Sequence, residues 1–161
     1  MKYRKETKPL NYDDAKEKAL RYLEFRSHSE KELSDKLKRA GADDDIIQQI
    51  MTFLREYKLV NDLDYARRYS RDLQNLKKFG KNRIITELKI KGISHDIIDT
   101  VISELPQAED NILEEMIKKR LKDNFDKKNK DKVIRYFIYR GYQFDEIKEC
   151  INKLEQNQCN K

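Results

Sequence analysis

The sequence predicts an all-α protein made of three tandem three-helix repeats, forming an elongated, curved, right-handed or solenoid-like array. Three observations predict it. Gly41, Gly92 and Gly141 stand 51 and 49 residues apart, a period typical of a repeated supersecondary unit. Five apolar columns keep fixed distances from these glycines. Leu33, Ile84 and Val133 lie eight residues before them, and Leu37, Leu88 and Phe137 four before. Ile47, Ile98 and Ile147 come six after, Met51, Ile102 and Ile151 ten after, and Leu54, Leu105 and Leu154 thirteen after. Finally, four Gly and two Pro in 161 residues, with short β-branched runs, leave little to interrupt helices.

In repeat one, a first helix is predicted at about 12–25, with Ala19, Leu20 and Leu23 apolar. Ser29 caps the second helix and Glu32 completes a Ser-x-x-Glu capping box. Leu33 and Leu37 lie one turn apart, and Gly41 ends the helix where a positive φ is needed. Asp43 caps the third helix, in which Ile47, Met51 and Leu54 follow an i, i+4, i+7 stripe. Asp44 and Asp45 occupy its first turn, where the helix dipole favours them. Repeat two opens with Tyr65, Ala66, Tyr69 and Leu73, starts its second helix at Gly80, stops it at Gly92 and caps the third with Ser94. Repeat three opens with Ile112, Met116 and Leu121, places Asn129 at the cap position and Gly141 at the stop. Its stretch LKDNFDKKNKDK, 121–132, reads as a solvated Lys-rich loop.

Joints near LVND (59–62) and PQAE (106–109) divide the chain into 1–59 with an N-terminal extension, 60–106, and 107–161 with a short C-terminal tail. A unit of about 50 residues is marginal alone, so stacking on neighbours is expected to stabilise each one.

Enzymatic classes find little support. His28 and His95 read as surface residues, neither in a metal-ligand spacing nor beside a nucleophile. No Gly-x-Ser-x-Gly or His-Glu-x-x-His occurs. GKNR after Phe79 lacks the phosphate-loop pattern, and no strand precedes it. Cys150 and Cys159, nine apart with no His nearby, form neither a metal site nor a disulfide framework, and Cys150 is expected as a small core residue. A binding protein without cofactor or metal is expected. With no apolar leader-like segment and no run of transmembrane length, a cytoplasmic location is expected.

The net charge of +6 is unevenly spread. Residues 65–91 hold nine Lys and Arg against two acids, and 117–140 hold ten against three. The third helices have the opposite sign: 42–57 has four acids and one Arg, and 93–107 three acids and no Lys or Arg. A helix-turn-helix protein would lay its post-glycine helix against phosphates, so base reading by these acidic helices is disfavoured. Any polyanion is met by the first two helices of repeats two and three.

ALRYLEFRSHSEKELSDKLKRAG (19–41) and YARRYSRDLQNLKKFGKNRIITELKIKGI (65–93) resemble the first and second repeats of the RecX regulatory proteins. Ala19, Leu20, Leu23, Arg26, Ser29, Glu32, Leu33, Lys36 and Leu37 fit the first pattern. Tyr65, Ala66, Gly80, Arg83, Ile84, Glu87, Leu88, Lys91, Gly92 and Ile93 fit the second. The match covers about residues 15–105; repeat three keeps the spacing but few specific residues. Many members carry an aromatic, often Trp, after the Ala of repeat two, where this chain has ARRYSR.

The resemblance implies a modulator of the RecA recombinase that binds in the groove of the RecA–single-stranded-DNA filament. It would inhibit ATP hydrolysis, strand exchange and coprotease activity. The expected contacts are Arg67, Arg68, Arg71, Lys77, Lys78, Lys81, Arg83, Lys89 and Lys91, with Lys118, Lys119, Arg120, Arg135 and Arg140 second. A solvated helix face is the plain alternative for each, and an i, i+4 pair for Arg83 with Glu87. A monomer is expected, and the basic side also admits weak direct binding to single- or double-stranded DNA. Two rival functions stay open: a direct DNA-binding helical protein and a helical-repeat scaffold for another protein.

Overall fold

The computed structural model describes residues 10–106 and 110–159, with nine helices and no strand among them. In chain order these are α1 (Tyr12–Phe25), α2 (Glu30–Arg39), α3 (Asp44–Glu56), α4 (Asp62–Asn75), α5 (Lys81–Ile90), α6 (His95–Glu104), α7 (Asp110–Leu121), α8 (Lys127–Tyr139) and α9 (Phe144–Cys159). Most of the N-terminal extension, the 107–109 part of the second predicted joint and the last two residues of the tail lie outside the described residues. The predicted all-α class is what the chain adopts.

The chain folds as two compact units: Met1–Arg68 with Leu88–Ile98, and Tyr69–Glu87 with Asp99–Lys161. Helices α4, α5 and α6 each contribute residues to both. In the first unit α1, α2 and α3 pack mutually around Ala15, Ala19, Leu33, Leu37, Ile47, Ile50, Met51 and Leu54. In the second, α7, α8 and α9 do the same around Leu113, Ile117, Val133, Phe137, Ile147 and Ile151.

The helix stops follow from backbone chemistry. Gly41, Gly92 and Gly141 have φ of 101°, 78° and 91°, a region open to glycine at little cost. Each closes a Schellman turn. Gly41 N–H donates to Lys38 O and Ala42 N–H to Leu37 O, both at 3.1 Å. The same pair recurs as Gly92 to Lys89 with Ile93 to Leu88, and as Gly141 to Ile138 with Tyr142 to Phe137. The residue after each glycine (Ala42, Ile93, Tyr142) is buried, as is the residue it bonds.

These stops meet helix starts. In the first unit the start of α2 abuts the end of α5. Ser29 Oγ accepts from Glu32 N–H at 3.2 Å, capping α2, and donates to Lys91 O at 2.7 Å. A Cβ on Gly92 would overlap the Lys31 side chain. In the second unit the start of α5 abuts the end of α8: Gly80 N–H donates to Arg140 O at 2.8 Å and Asn82 N–H to Gly141 O at 3.2 Å. A Cβ on Gly141 would overlap the backbone of Arg83, and one on Gly80 the carbonyl of Gly141. One joint therefore occurs twice, shifted by one repeat.

Several local expectations are corrected. Helix α8 starts one turn earlier than Asn129, capped by Asp126, whose carboxylate accepts from Asn129 N–H at 2.7 Å. Asn129 lies inside the helix, and its side-chain amide donates to the Leu121 and Asn124 carbonyls at 3.0 and 2.7 Å. The Lys-rich stretch is thus mostly helical, and only 122–126 connects α7 to α8. In α7 the buried stripe is Leu113, Ile117 and Leu121, while Ile112 and Met116 are half-buried. In α6, Val101 is buried and Ile102 half-buried. Cys150 is half-buried at the edge of its core, where burial pushes its thiol pKa up.

Gly141→Ala tests the joint. A left-handed φ alone costs an alanine about 1 kcal/mol, and overlap with Arg83 backbone adds to it. Urea unfolding should show a loss of about 2–3 kcal/mol; a loss of only about 1 kcal/mol would mean that the contact is loose.

Candidate interface for an anionic partner

Some basic residues are held inside their own unit. In the first unit, Glu32 accepts from Lys91 Nζ at 2.5 Å, from Tyr65 OH at 3.1 Å and from the Arg26 guanidinium at 3.4 Å. The Glu32 side chain is 16 % exposed and that of Lys91 24 %. Burial alone would raise the Glu32 carboxyl, but the hydrogen bonds and charges of Lys91 and Arg26 outweigh it and lower the pKa to about 2. Glu30, at the start of α2, takes a two-pronged bond from Arg55 at 2.8 and 2.9 Å.

His28 sits next to this network and corrects its predicted surface position: it is 2 % exposed. Its Nδ1–H donates to Arg26 O at 2.9 Å, and its ring lies 6.2 Å from that of Tyr22. Burial lowers its pKa, so the ring stays neutral at pH 7. His95 is exposed, as predicted.

In the second unit, cations gather on aromatic faces. Lys77 Nζ, the Arg83 guanidinium and the Arg140 guanidinium lie 5.9, 5.6 and 5.2 Å from the centre of the Phe79 ring. Arg83 also stands 5.2 Å from the Tyr139 ring. Arg120 and Arg140 lie 3.5 and 5.5 Å from the Tyr136 ring. Ring quadrupoles hold such cations without neutralising them. Arg140 has further duties: its guanidinium donates to the Lys77 carbonyl, to Lys78 O at 3.4 Å and to Tyr136 OH at 3.2 Å. With Tyr142 OH, which donates to Lys78 O at 3.1 Å, it fixes a turn in which Lys78 has a φ of 51°. Arg83 pairs with Glu87 at 2.7 Å, one turn away.

The fourteen predicted contacts therefore differ in availability. Arg83, Lys91 and Arg140 are half-buried and committed to intramolecular bonds. Arg67 lies 3.8 Å from Asp64 and is half-buried, as is Lys78. Arg68, Arg71, Lys77, Lys81, Lys89, Lys118, Lys119, Arg120 and Arg135 are exposed. The second unit brings Lys77, Arg83, Arg120 and Arg140 together around Phe79 and Tyr136, whereas Arg67, Arg68, Lys89 and Lys91 belong to the first unit. Sequence reasoning passed over Phe79, Tyr136 and Tyr139, although KKFGK and IRYFIYR interleave aromatic with basic residues. Guanidinium and ammonium groups beside flat rings suit phosphate, carboxylate and stacked bases.

Tandem three-helix sets define a helical-repeat protein, and in its second unit cations stand over aromatic rings. The family models described as RecX, first three-helix domain, and RecX, second three-helix domain, match residues 15–54 and 61–102. Regulatory protein RecX of Clostridioides difficile (strain 630) is 36% identical over 157 residues, covering 92% of this chain and 74% of that protein. Regulatory protein RecX of Clostridium perfringens (strain SM101 / Type A) is 32% identical over 151 residues, covering 89% and 69%. The crystal structure of RecX from Lactobacillus salivarius matches with a TM-score of 0.77 at 25% identity, covering 90% of this chain and 97% of that one. The chain belongs to the RecX family of regulatory proteins. No helix among the described residues is long and apolar enough to cross a membrane.

The Glu32 network sets a pH dependence. A carboxyl with a depressed folded pKa stabilises the fold above its unfolded value of 4.5, and that stability is lost as pH falls toward about 2. Urea midpoints measured across that window should fall more steeply for the natural chain than for Glu32→Gln. Parallel curves would show that Glu32 is not held by Lys91 and Arg26.

Proposed function

We propose that this chain is a non-catalytic regulator that binds RecA filaments on single-stranded DNA and inhibits their ATPase, strand-exchange and coprotease activities. It acts as a cytoplasmic monomer in DNA repair and the SOS response, with the repeats 1–59, 60–106 and 107–161 as its domains. Membership of the RecX family supports the regulatory role.

One observation carries the choice of contact residues in each unit. Arg68 and Arg71 on α4, Lys81 and Lys89 on α5, and Lys118 and Lys119 on α7 are exposed. No carboxylate among the described residues pairs with them within 4 Å, and α3 and α6 begin with acids. Unpaired surface cations attract phosphates and acidic protein surfaces, while acidic helix starts are repelled by them. Arg83, Lys91 and Arg140 are bound inside their own units and act through structure rather than by reaching a partner.

The test is RecA ATPase on single-stranded DNA with substoichiometric protein. The natural chain should slow hydrolysis and shorten filaments; no change in either would sink the reading. Arg68→Glu with Arg71→Glu should raise the half-inhibiting concentration at least about tenfold while remaining folded. Full potency in that variant would move the contact elsewhere. Tight, steeply salt-dependent binding to naked DNA, with no effect on RecA, would favour a direct DNA-binding protein.

A further inference from the structure

Helices α8 and α9 leave between them a groove of about 560 Å³. Its base is aliphatic: Ile151 is buried and Ile134 half-buried, while Phe144 at the start of α9 is 48 % exposed. Lys127, Arg135 and Lys148 line it and are exposed. Among the described residues none of the three pairs with a carboxylate within 4 Å. Lys148 Nζ instead lies 5.8 Å from the Phe144 ring, and Arg135 Nε donates to Asp131 O at 3.3 Å. Lys130, also in the lining, is bridged to Glu155 at 3.0 Å, and among the described residues Asp131 is the only carboxylate that lines the groove.

We propose that this groove docks an acidic peptide segment carrying an apolar anchor side chain. The apolar base is shaped for an aliphatic or aromatic knob, as in helix-in-groove recognition. The surrounding cations supply charge complementarity, which sets orientation and speeds encounter. Nucleic acid fits less well. Stacking needs a series of flat rings, and among the described residues that line this groove Phe144 is the one aromatic ring. The cation–aromatic cluster around Phe79 and Tyr136 has the opposite character, so the chain carries two chemically different basic surfaces. Arg135 is among the expected filament contacts, whereas Lys127, Lys148 and Phe144, at which the groove is tested, are not. Variants at these three residues therefore test the groove independently of that function.

The test uses the full chain and a fluorescein-labelled peptide of about twelve residues, mostly Glu with spaced Leu and one Phe. Fluorescence anisotropy should show saturable binding that weakens with salt. Lys127→Glu with Lys148→Glu should weaken it at least about tenfold, and Phe144→Ala several-fold. The milder Lys127→Gln with Lys148→Gln must also weaken it, which guards against a folding defect in the charge reversal. A polyglutamate peptide of equal length should bind at least about tenfold more weakly than the Leu- and Phe-bearing one. Unchanged affinity in the variants, or equal binding of polyglutamate, would overturn the proposal. So would displacement of the peptide by oligothymidylate at comparable affinity, which would assign the groove to nucleic acid. Dimerisation of the natural chain, abolished in Lys127→Glu with Lys148→Glu, would assign it to a second copy and overturn the proposal as well.

Discussion

The structure depends on a helix end that turns left-handed without a Cβ and lets another helix start against it. A helix end leaves carbonyls without partners, and a helix start leaves N–H groups without partners. At Gly141 the two shortages cancel: Gly80 and Asn82 donate to Arg140 and Gly141. Such a contact needs backbone against backbone, which is why Gly80 and Gly141 leave no space for a methyl group. In the first unit the Ser29 hydroxyl does the same work toward Lys91, bonding both ways at once. The repeat period fits this constraint, because the Gly92 and Gly141 stops each return to the same place relative to a helix start.

The same joints explain the division of labour among the cations. Arg140 closes the turn at Lys77 and Lys78, and Lys91 neutralises Glu32 beside the start of α2. Breaking such a half-buried pair leaves an uncompensated charge, so these residues act through architecture. Arg68, Arg71, Lys81, Lys118 and Lys119 are exposed, and among the described residues none of them pairs with a carboxylate within 4 Å.

How much of this was legible depends on the distance over which each feature is decided. Ser29, Asp43 and the three glycine stops act within about one helical turn, so their roles are written in adjacent residues. The bounds of α1 were readable for the same reason. Asn129 misled because two cap-capable residues stand three apart, and only the carbonyls of Leu121 and Asn124 decide that Asn129 goes inside. His28 looked exposed because nothing local marks it; its burial comes from packing against Tyr22 and from the Arg26 carbonyl. The basic character of the candidate site was plain in the composition. Which cations remain available was not, because Lys91 finds Glu32 across 59 residues and Arg140 finds Lys78 across 62.

A joint that sets donors on one side against acceptors on the other has a direction, like a plug and a socket. Units joined in this way can in principle add end to end without closing, the geometry that makes fibres from head-to-tail contacts. At Gly41 the acceptor is already taken: Leu10 N–H donates to the Gly41 carbonyl at 3.1 Å, in the place where Asn82 meets Gly141. Leu10 itself packs half-buried against the core of the first unit. A short piece of extended chain thus fills the socket from within. The Gly41 carbonyl, the acceptor that a further helix start would need, is thereby occupied from within the chain.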